Sequence, residues 1–248
     1  MNTTSIENKN VLITGANRGI GRVIAETFLD RGATKVYAAV RDPDSASALV
    51  EKYGERVVPV ALDLASTESV NAAALQAGDV DIVINNGGVL RTSTALSEDT
   101  FDSLDFELNV NLYGLVRVAQ AFAPILKRNG GGALVQMNSV VSMKTFPDFG
   151  TYSASKAAAY SISQSLHWLL REQGTRVLSV HPGPIATEMG DAAGLTEIAE
   201  PPQLVPEAII EALAGDGFHV YPDSMAKQIG GAYAGFANGV VEADLSEG

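Results

Sequence analysis

Short apolar runs, almost unbroken by polar residues, recur along this chain and alternate with longer stretches of helical periodicity. Residues 9–14, 35–40, 57–62, 80–85, 133–137, 176–181 and 218–221 read as strands. Residues 20–31, 45–53, 67–76, 100–127, 151–172 and 206–214 read as helices. A strand that is apolar at successive positions, not at alternate ones, is buried on both faces. Strand–helix alternation with short connections implies parallel pairing through right-handed crossovers. The expected fold class is therefore α/β: a doubly wound parallel sheet of about seven strands, with helices on both faces. No repeat, low-complexity segment or linker divides the sequence, so residues 1–248 are expected to form one domain.

The bulk composition narrows the function. The net charge is −12 and the 17 basic residues are scattered. Such a surface repels phosphate backbones, so no nucleic-acid partner is expected. Cysteine is absent, which removes disulfides, thiolate metal sites and a cysteine nucleophile. The three histidines, His167, His181 and His219, lack ligand spacing, so no metal is expected. His167 is expected to be a packing or interface residue, and His181 to end the sixth strand. Residues 1–10 are polar and no apolar run reaches membrane-spanning length. A cytoplasmic protein with no membrane partner is the resulting expectation.

A sheet of this kind binds ligands outside the carboxyl ends of its strands, and the motifs cluster there. Thr14-Gly15-Ala16-Asn17-Arg18-Gly19-Ile20-Gly21 lies between the first strand and the first helix. Gly15 permits the turn out of the strand, Gly19 lets the backbone approach a pyrophosphate, and Gly21 lets helix and sheet pack closely. The helix N-terminus then presents free N–H groups and a positive dipole end. Gly15, Asn17, Arg18, Gly19 and Ile20 are thus candidate cofactor contacts. The pattern is not an ATP-type loop, because Arg22 stands where Lys would be required. The plainer alternative is a glycine-rich turn that holds nothing.

The second strand ends at Val40-Arg41, without the carboxylate that would bind a free ribose 2′-hydroxyl. Arg41 and Arg18 together suit a 2′-phosphate. The reading is NADP(H), although Asp42 offers Arg41 an alternative partner and both arginines could be solvated surface charges. Asp63 and Leu64 end the third strand, where an adenine edge would lie; an Asp that caps the next helix is the competing reading.

Tyr152 and Lys156 are four residues apart near the start of a long helix and share one face. A nearby ammonium favours the phenolate and lowers the tyrosine pKa. Such a pair exchanges a proton with a carbonyl or alcohol oxygen. Ser153, Ala154 and Ser155 between them are small and leave room for a cofactor.

Taken together, Thr14-Gly-x-x-x-Gly-x-Gly21, Asn85-Asn86-Gly87-Gly88, Asn111, Ser139 and Tyr152-x-x-x-Lys156 resemble the short-chain dehydrogenase/reductase family over about residues 10–189. The resemblance implies a Rossmann fold and an oxidoreductase of carbonyl reductase or alcohol dehydrogenase type. It implies Tyr152 as general acid–base and Lys156 on the nicotinamide ribose, with Ser139 on the substrate oxygen. Asn111 would hold a water that links Lys156 to solvent. Asn85-Asn86-Gly87 would close over the adenosine ribose. Pro182-Gly183-Pro184-Ile185-Ala186-Thr187 would cover the nicotinamide, with Ile185 and Thr187 near its carboxamide. A homodimer or homotetramer built on the two long helices is also implied.

The chain departs from the family at Gly87, where Ala is usual, and a glycine there is expected to tolerate the ribose. Ser142 is a second hydroxyl near Ser139. The C-terminal region lacks the Asp-Gly-Gly of the 3-oxoacyl reductase branch, so no fatty-acid role is inferred. Residues 90–96 and 188–202 (188–205 at the widest) are expected to line the substrate pocket. The second segment is read as a largely apolar loop suited to a ketone, aldehyde or secondary alcohol. The residues also admit two other functions. A cofactor-binding redox sensor would lack the Tyr, Lys or Ser, and all three stand. Ser153-Ala-Ser-Lys156 matches a Ser-x-x-Lys acyl hydrolase, but its Ser-Asp-Asn and Lys-Thr-Gly companions are missing.

Overall fold

The computed structural model describes residues 4–243. Seven strands form one parallel sheet: β1 (Asn10–Thr14), β2 (Lys35–Val40), β3 (Val57–Ala61), β4 (Ile82–Asn85), β5 (Ala133–Met137), β6 (Arg176–Val180) and β7 (His219–Val220). Their spatial order is β3-β2-β1-β4-β5-β6-β7. Every pairing is parallel. The order reverses between β1 and β4, which makes that point the topological switch of a Rossmann-type sheet.

Among the described residues nine α-helices connect and cover the strands: α1 (Gly19–Asp30), α2 (Ser47–Tyr53), α3 (Thr67–Gln76), α4 (Thr100–Glu107), α5 (Gly114–Arg128), α6 (Gly150–Arg171), α7 (Glu188–Ala192), α8 (Leu204–Ala214) and α9 (Ser224–Phe236). The sheet separates two apolar cores, because successive strand residues point to opposite faces. Val11 and Ile13 face Ile24 and Phe28 of α1, Leu49 of α2, and Ile209 and Leu213 of α8. Leu12 faces Val70 of α3, Val118 and Phe122 of α5, and Tyr160 and Leu170 of α6. Val11, Leu12 and Ile13 are fully buried, which is why the strand carries no polar alternation.

Three expectations change. The helix expected over 100–127 is two helices joined by a π-helical segment, Leu108–Tyr113. In the wider turn the Asn109 carbonyl accepts from Gly114 N, and the Arg117 guanidinium also donates to it, at 3.0 Å. Gly114 closes the segment against Leu64, where a Cβ would stand 2.9 Å from the leucine Cβ. Second, the loop expected over 188–202 contains α7 and a 3₁₀ turn, Thr196–Ile198. Thr187 caps α7 by accepting from Gly190 N at 3.2 Å. Third, no helix is read beyond 214, yet α9 follows β7 and ends in a π-helical turn, Ala237–Val241. Residues 244–248 of the C-terminal tail lie outside the described residues. No helix among the described residues is long and apolar enough to cross a membrane.

Candidate active site

The carboxyl ends of β1, β4, β5 and β6 lie side by side, and the loops that leave them enclose one cleft. On the β1 side the glycine turn forms a cradle. Gly15 and Gly19 adopt φ of +67° and +52°, in the left-handed region that side chains disfavour. Gly21 is in regular helix, but a Cβ there would come within 2.2 Å of the Gly15 carbonyl oxygen. The start of α1 has no side-chain cap, so its first N–H groups remain available to an anion.

The cradle is fastened to the switch point from behind. Thr14 Oγ1 accepts from Gly87 N at 2.8 Å and donates to Asn85 Oδ1 at 3.2 Å. Asn86 Nδ2 donates to the Thr14 carbonyl at 2.9 Å. Glycine at position 87 matches this packing: a Cβ would stand 2.8 Å from Leu64 Cδ1 and 3.2 Å from Thr14 Oγ1. The unusual Gly87 is therefore tied to Leu64, which is buried three residues past β3.

Asp63 accepts from Ala65 N at 2.9 Å in a tight turn. The cap of α3 is instead Ser66, which accepts from Ser69 N. Arg41 leaves the end of β2 exposed and has no ion pair among the described residues; Asp42 turns away to accept from Asp44 N. Asn17 reaches Ser45 Oγ at 3.2 Å, which draws the β2 loop against the cradle. Arg18 is not free beside Arg41. It pairs with Glu188 at 2.8 Å, with both side chains largely exposed.

Across the cleft, α6 presents Tyr152 and Lys156. Lys156 is 3% exposed. Its Nζ donates to the Met137 carbonyl at 2.8 Å and lies 5.8 Å from the Tyr152 ring centroid. Burial pushes the Tyr152 phenol above its ordinary value, the Glu107 carboxyl adds to that rise, and the neighbouring Ser139 hydroxyl opposes it. Burial also pulls Lys156 down to about 8, against the opposing pull of Glu107. The ammonium thus does not dominate the tyrosine as expected from the i,i+4 spacing; desolvation of both groups outweighs their attraction. Ser153 is 1% exposed, so it is not presented as a nucleophile.

Asn111 sits in the π segment and is held from both ends: its Oδ1 accepts from Val89 N at 2.9 Å, and its Nδ2 donates to Val89 O and Ser155 Oγ, each at 2.9 Å. Gly88 lies between Asn111 and Lys156; a Cβ there would be 3.1 Å from Asn111 Oδ1 and 3.5 Å from Lys156 Nζ. Ser139 follows β5 and donates to Pro182 O at 3.2 Å. Pro182 O also accepts from Val140 N, so the loop after β6 is anchored to the serine loop. Ile185 pairs with Glu200 in a short bridge, and Thr187 lies 3.5 Å from the point a Cβ of Gly19 would occupy.

Three supporting roles escaped the sequence reading. Asp223, 1% exposed, accepts from Gly183 N at 2.7 Å and from Ala226 N at 2.9 Å, joining the loop after β6 to the start of α9. An Asp ahead of a helical pattern signals a cap, but nothing in sequence signals its partner 40 residues upstream. His181, fully buried just past β6, is within 3.0 Å of Ser142 Oγ, 2.7 Å of Ser179 Oγ and 3.3 Å of the Ser139 carbonyl. Burial pulls it down to about 3, so it is neutral and braces the serine loop. Ser142 donates to the Ser139 carbonyl at 2.6 Å and thereby supports that loop. The third is Glu107, a carboxyl with no exposure at the end of α4. His167 is a packing residue, tilted against Phe218 and edge-on to Trp168. No cluster of three metal-ligating side chains exists among the described residues.

Residues 9–197, which carry the cradle at β1 and the Tyr–Lys pair, match the short chain dehydrogenase family model. The chain belongs to the short-chain dehydrogenase/reductase family. It is 33% identical over 207 residues to the oxidoreductase BOA17 of Botryotinia fuckeliana, covering 81% of this chain and 75% of that protein. It is 34% identical over 200 residues to the probable galactose dehydrogenase GalD of Rhizobium meliloti, covering 77% of each. A short chain dehydrogenase from Burkholderia cenocepacia, crystallised in complex with NADP, superposes with a TM-score of 0.87 at 34% identity, covering 97% of this chain and 100% of that one. Membership makes the chain an oxidoreductase of this family.

Proposed function

We propose that this oxidoreductase is NADP(H)-dependent and interconverts a ketone or aldehyde with its alcohol, with Tyr152 as the proton donor to the substrate oxygen. The observation that carries the reading is the meeting of two half-sites at one edge of the sheet: the uncapped start of α1 with its glycine cradle, and Tyr152, Lys156, Ser139 and Asn111. The cradle fits a dinucleotide, since it offers free N–H groups where side chains would block approach. Arg41 and Arg18 are the groups to hold a 2′-phosphate, and the Burkholderia cenocepacia relative binds NADP. Arg18 would exchange Glu188 for that phosphate, a small loss for so exposed a pair. Asn17 and Ile20 would flank the pyrophosphate, and Asp63, Leu64, Asn86 and Gly87 the adenosine. Pro182, Gly183, Ile185 and Thr187 would cover the nicotinamide.

A bound nicotinamide supplies the hydride, or accepts it in the reverse direction. The chain's own residues manage the proton. The Tyr152 phenol, held above its ordinary value by burial, keeps its proton at neutral pH, the state a general acid needs. Ser139 donates to the same substrate oxygen and fixes its position. Lys156, titrating near neutrality, restores the proton to the phenolate, with Asn111 as the link towards solvent. The exposed Met189 and Ile198 on the segment after β6 suit an apolar substrate. A homodimer or homotetramer would cover the exposed Phe101, Phe106, Tyr113 and Leu169 along the two long helical stretches.

The test is NADPH consumption, followed at its absorbance maximum, with a panel of aryl and alkyl ketones and aldehydes. Turnover with NADPH and its loss in Tyr152→Phe, with cofactor binding retained, is the expected result. An active Tyr152→Phe variant would refute the mechanism.

A further inference from the structure

We propose that Glu107 is a positioning residue for the Tyr152–Lys156 pair: its buried carboxyl ties one wall of the substrate cleft to the first turn of α6 and sets the proton affinity of that pair. The inference rests on the reading of Tyr152 and Lys156 as the proton-handling groups.

Glu107 is fully buried at the last position of α4. Burial of the group is costly and raises its pKa, with the N–H of Arg91 partly offsetting the rise. Oε1 accepts from Arg91 N at 2.7 Å and so holds the segment that leaves β4, at the near end of residues 90–96. The Arg91 guanidinium itself lies over the Phe106 ring, 4.5 Å from its centroid, and does not form an ion pair with the carboxyl among the described residues.

The second oxygen is the telling one. Oε2 is buried and has no hydrogen-bond partner. In the first turn of α6 the Thr151 hydroxyl favours the Glu107 anion, and Ser153 Oγ is buried without a partner. They flank Tyr152 in sequence, and α4 packs directly on α6. A fully buried carboxyl between α4 and α6 is more than packing needs, since a hydrophobic residue would fill the same space at lower cost. The charge acts on both members of the pair in the same sense: it raises Tyr152 and raises Lys156, in each case against or alongside burial. The other charged groups around Glu107 are Arg91 on the β4 loop, which favours its anion, and Asp99 at the start of α4, which opposes it. As an anion, Glu107 therefore keeps the phenol a phenol and the amine an ammonium, the state required for proton donation.

The test follows Lys156 directly in the full-length protein labelled with [ε-13C]lysine. The Lys156 resonance, assigned by its loss in Lys156→Arg, is expected to titrate near pH 8, apart from the other lysines. In Glu107→Gln, which keeps the shape and the acceptor for Arg91 N, the midpoint is expected to fall by on the order of one pH unit, the effect of one charge in a partly screened interior. Glu107→Leu, neutral and suited to burial, serves the same comparison if the amide variant does not fold. An unchanged midpoint overturns the proposal even if the melting temperature drops, since that is what a purely structural carboxyl would give. Loss of folding in both variants, or a parent protein with no lysine titrating below about pH 9.5, overturns it as well. Because no turnover is measured, this outcome is separate from that of Tyr152→Phe, which tests the catalytic reading alone.

Discussion

Replacement of Asp223 by alanine should damage the site from a distance, and the structure fixes the size of the effect. The carboxylate accepts two backbone N–H groups: Gly183 N at 2.7 Å and Ala226 N at 2.9 Å. It is 1% exposed, so water does not replace it readily. Loss of the α9 cap costs about 1 kcal/mol. The orphaned N–H of Gly183, in the loop proposed to cover the nicotinamide, costs about 1–3 kcal/mol more. The sum, about 2–4 kcal/mol, corresponds to a fall in melting temperature of roughly 4–16 °C for a domain of this size. Asp223→Asn keeps the acceptor for Ala226 but can turn an amide towards Gly183, and should cost about half as much. The assay is thermal unfolding by circular dichroism at one fixed protein concentration, with and without saturating NADPH. NADPH should stabilise the alanine variant less than the parent, because the loop that covers the cofactor has lost its anchor. A melting point within about 1 °C of the parent would refute the argument, since no pair of buried N–H groups can lose its acceptor that cheaply.

Stability should also fall on acidification through His181. Its folded pKa, about 3, lies below its unfolded value of 6.5. The unfolded chain therefore takes up the proton first, and stability present above pH 6.5 is lost as the pH falls towards 3, by up to about 1.4 kcal/mol per pH unit. Denaturant unfolding across that window should show a shallower slope in His181→Gln; an equal slope would refute the assignment. At the cofactor corner, Arg41→Ala should weaken NADPH binding by roughly tenfold or more while leaving NADH nearly unchanged, as expected for loss of a phosphate-gripping guanidinium. Equal losses for the two cofactors, measured by fluorescence titration, would count against a 2′-phosphate site at Arg41.

The fold class was legible because double burial leaves a mark on every strand. Leu12 faces one core while Val11 and Ile13 face the other, so β1 has to be apolar throughout, and periodicity alone reports that. The α3 range is read to the residue because Ser66 caps it and no tertiary contact reshapes it. The helix over 100–127 was misread for the opposite reason. Its sequence is helical throughout, and the π segment is paid for by long-range partners: Arg117 on the Asn109 carbonyl, and Val89 on Asn111. The short α7 and the late α9 likewise depend on caps, at Thr187 and Asp223, within segments of weak periodicity.

The sequence by itself determined the parallel sheet, the glycine cradle and the Tyr152–Lys156 spacing, because each is set by local chemistry: burial on two faces, the absence of side chains at a turn, and one helix face. Only the tertiary structure decided the electrostatics of that pair and the partners of its neighbours. It turns Arg18 onto Glu188, sets Asp223 beneath Gly183, braces Ser139 with His181 and brings the Glu107 carboxyl to the first turn of α6. The physical reason is desolvation. A pKa depends on how much water the whole fold removes from a group and on charges brought near it from distant parts of the chain, and neither quantity is written in the spacing of two residues.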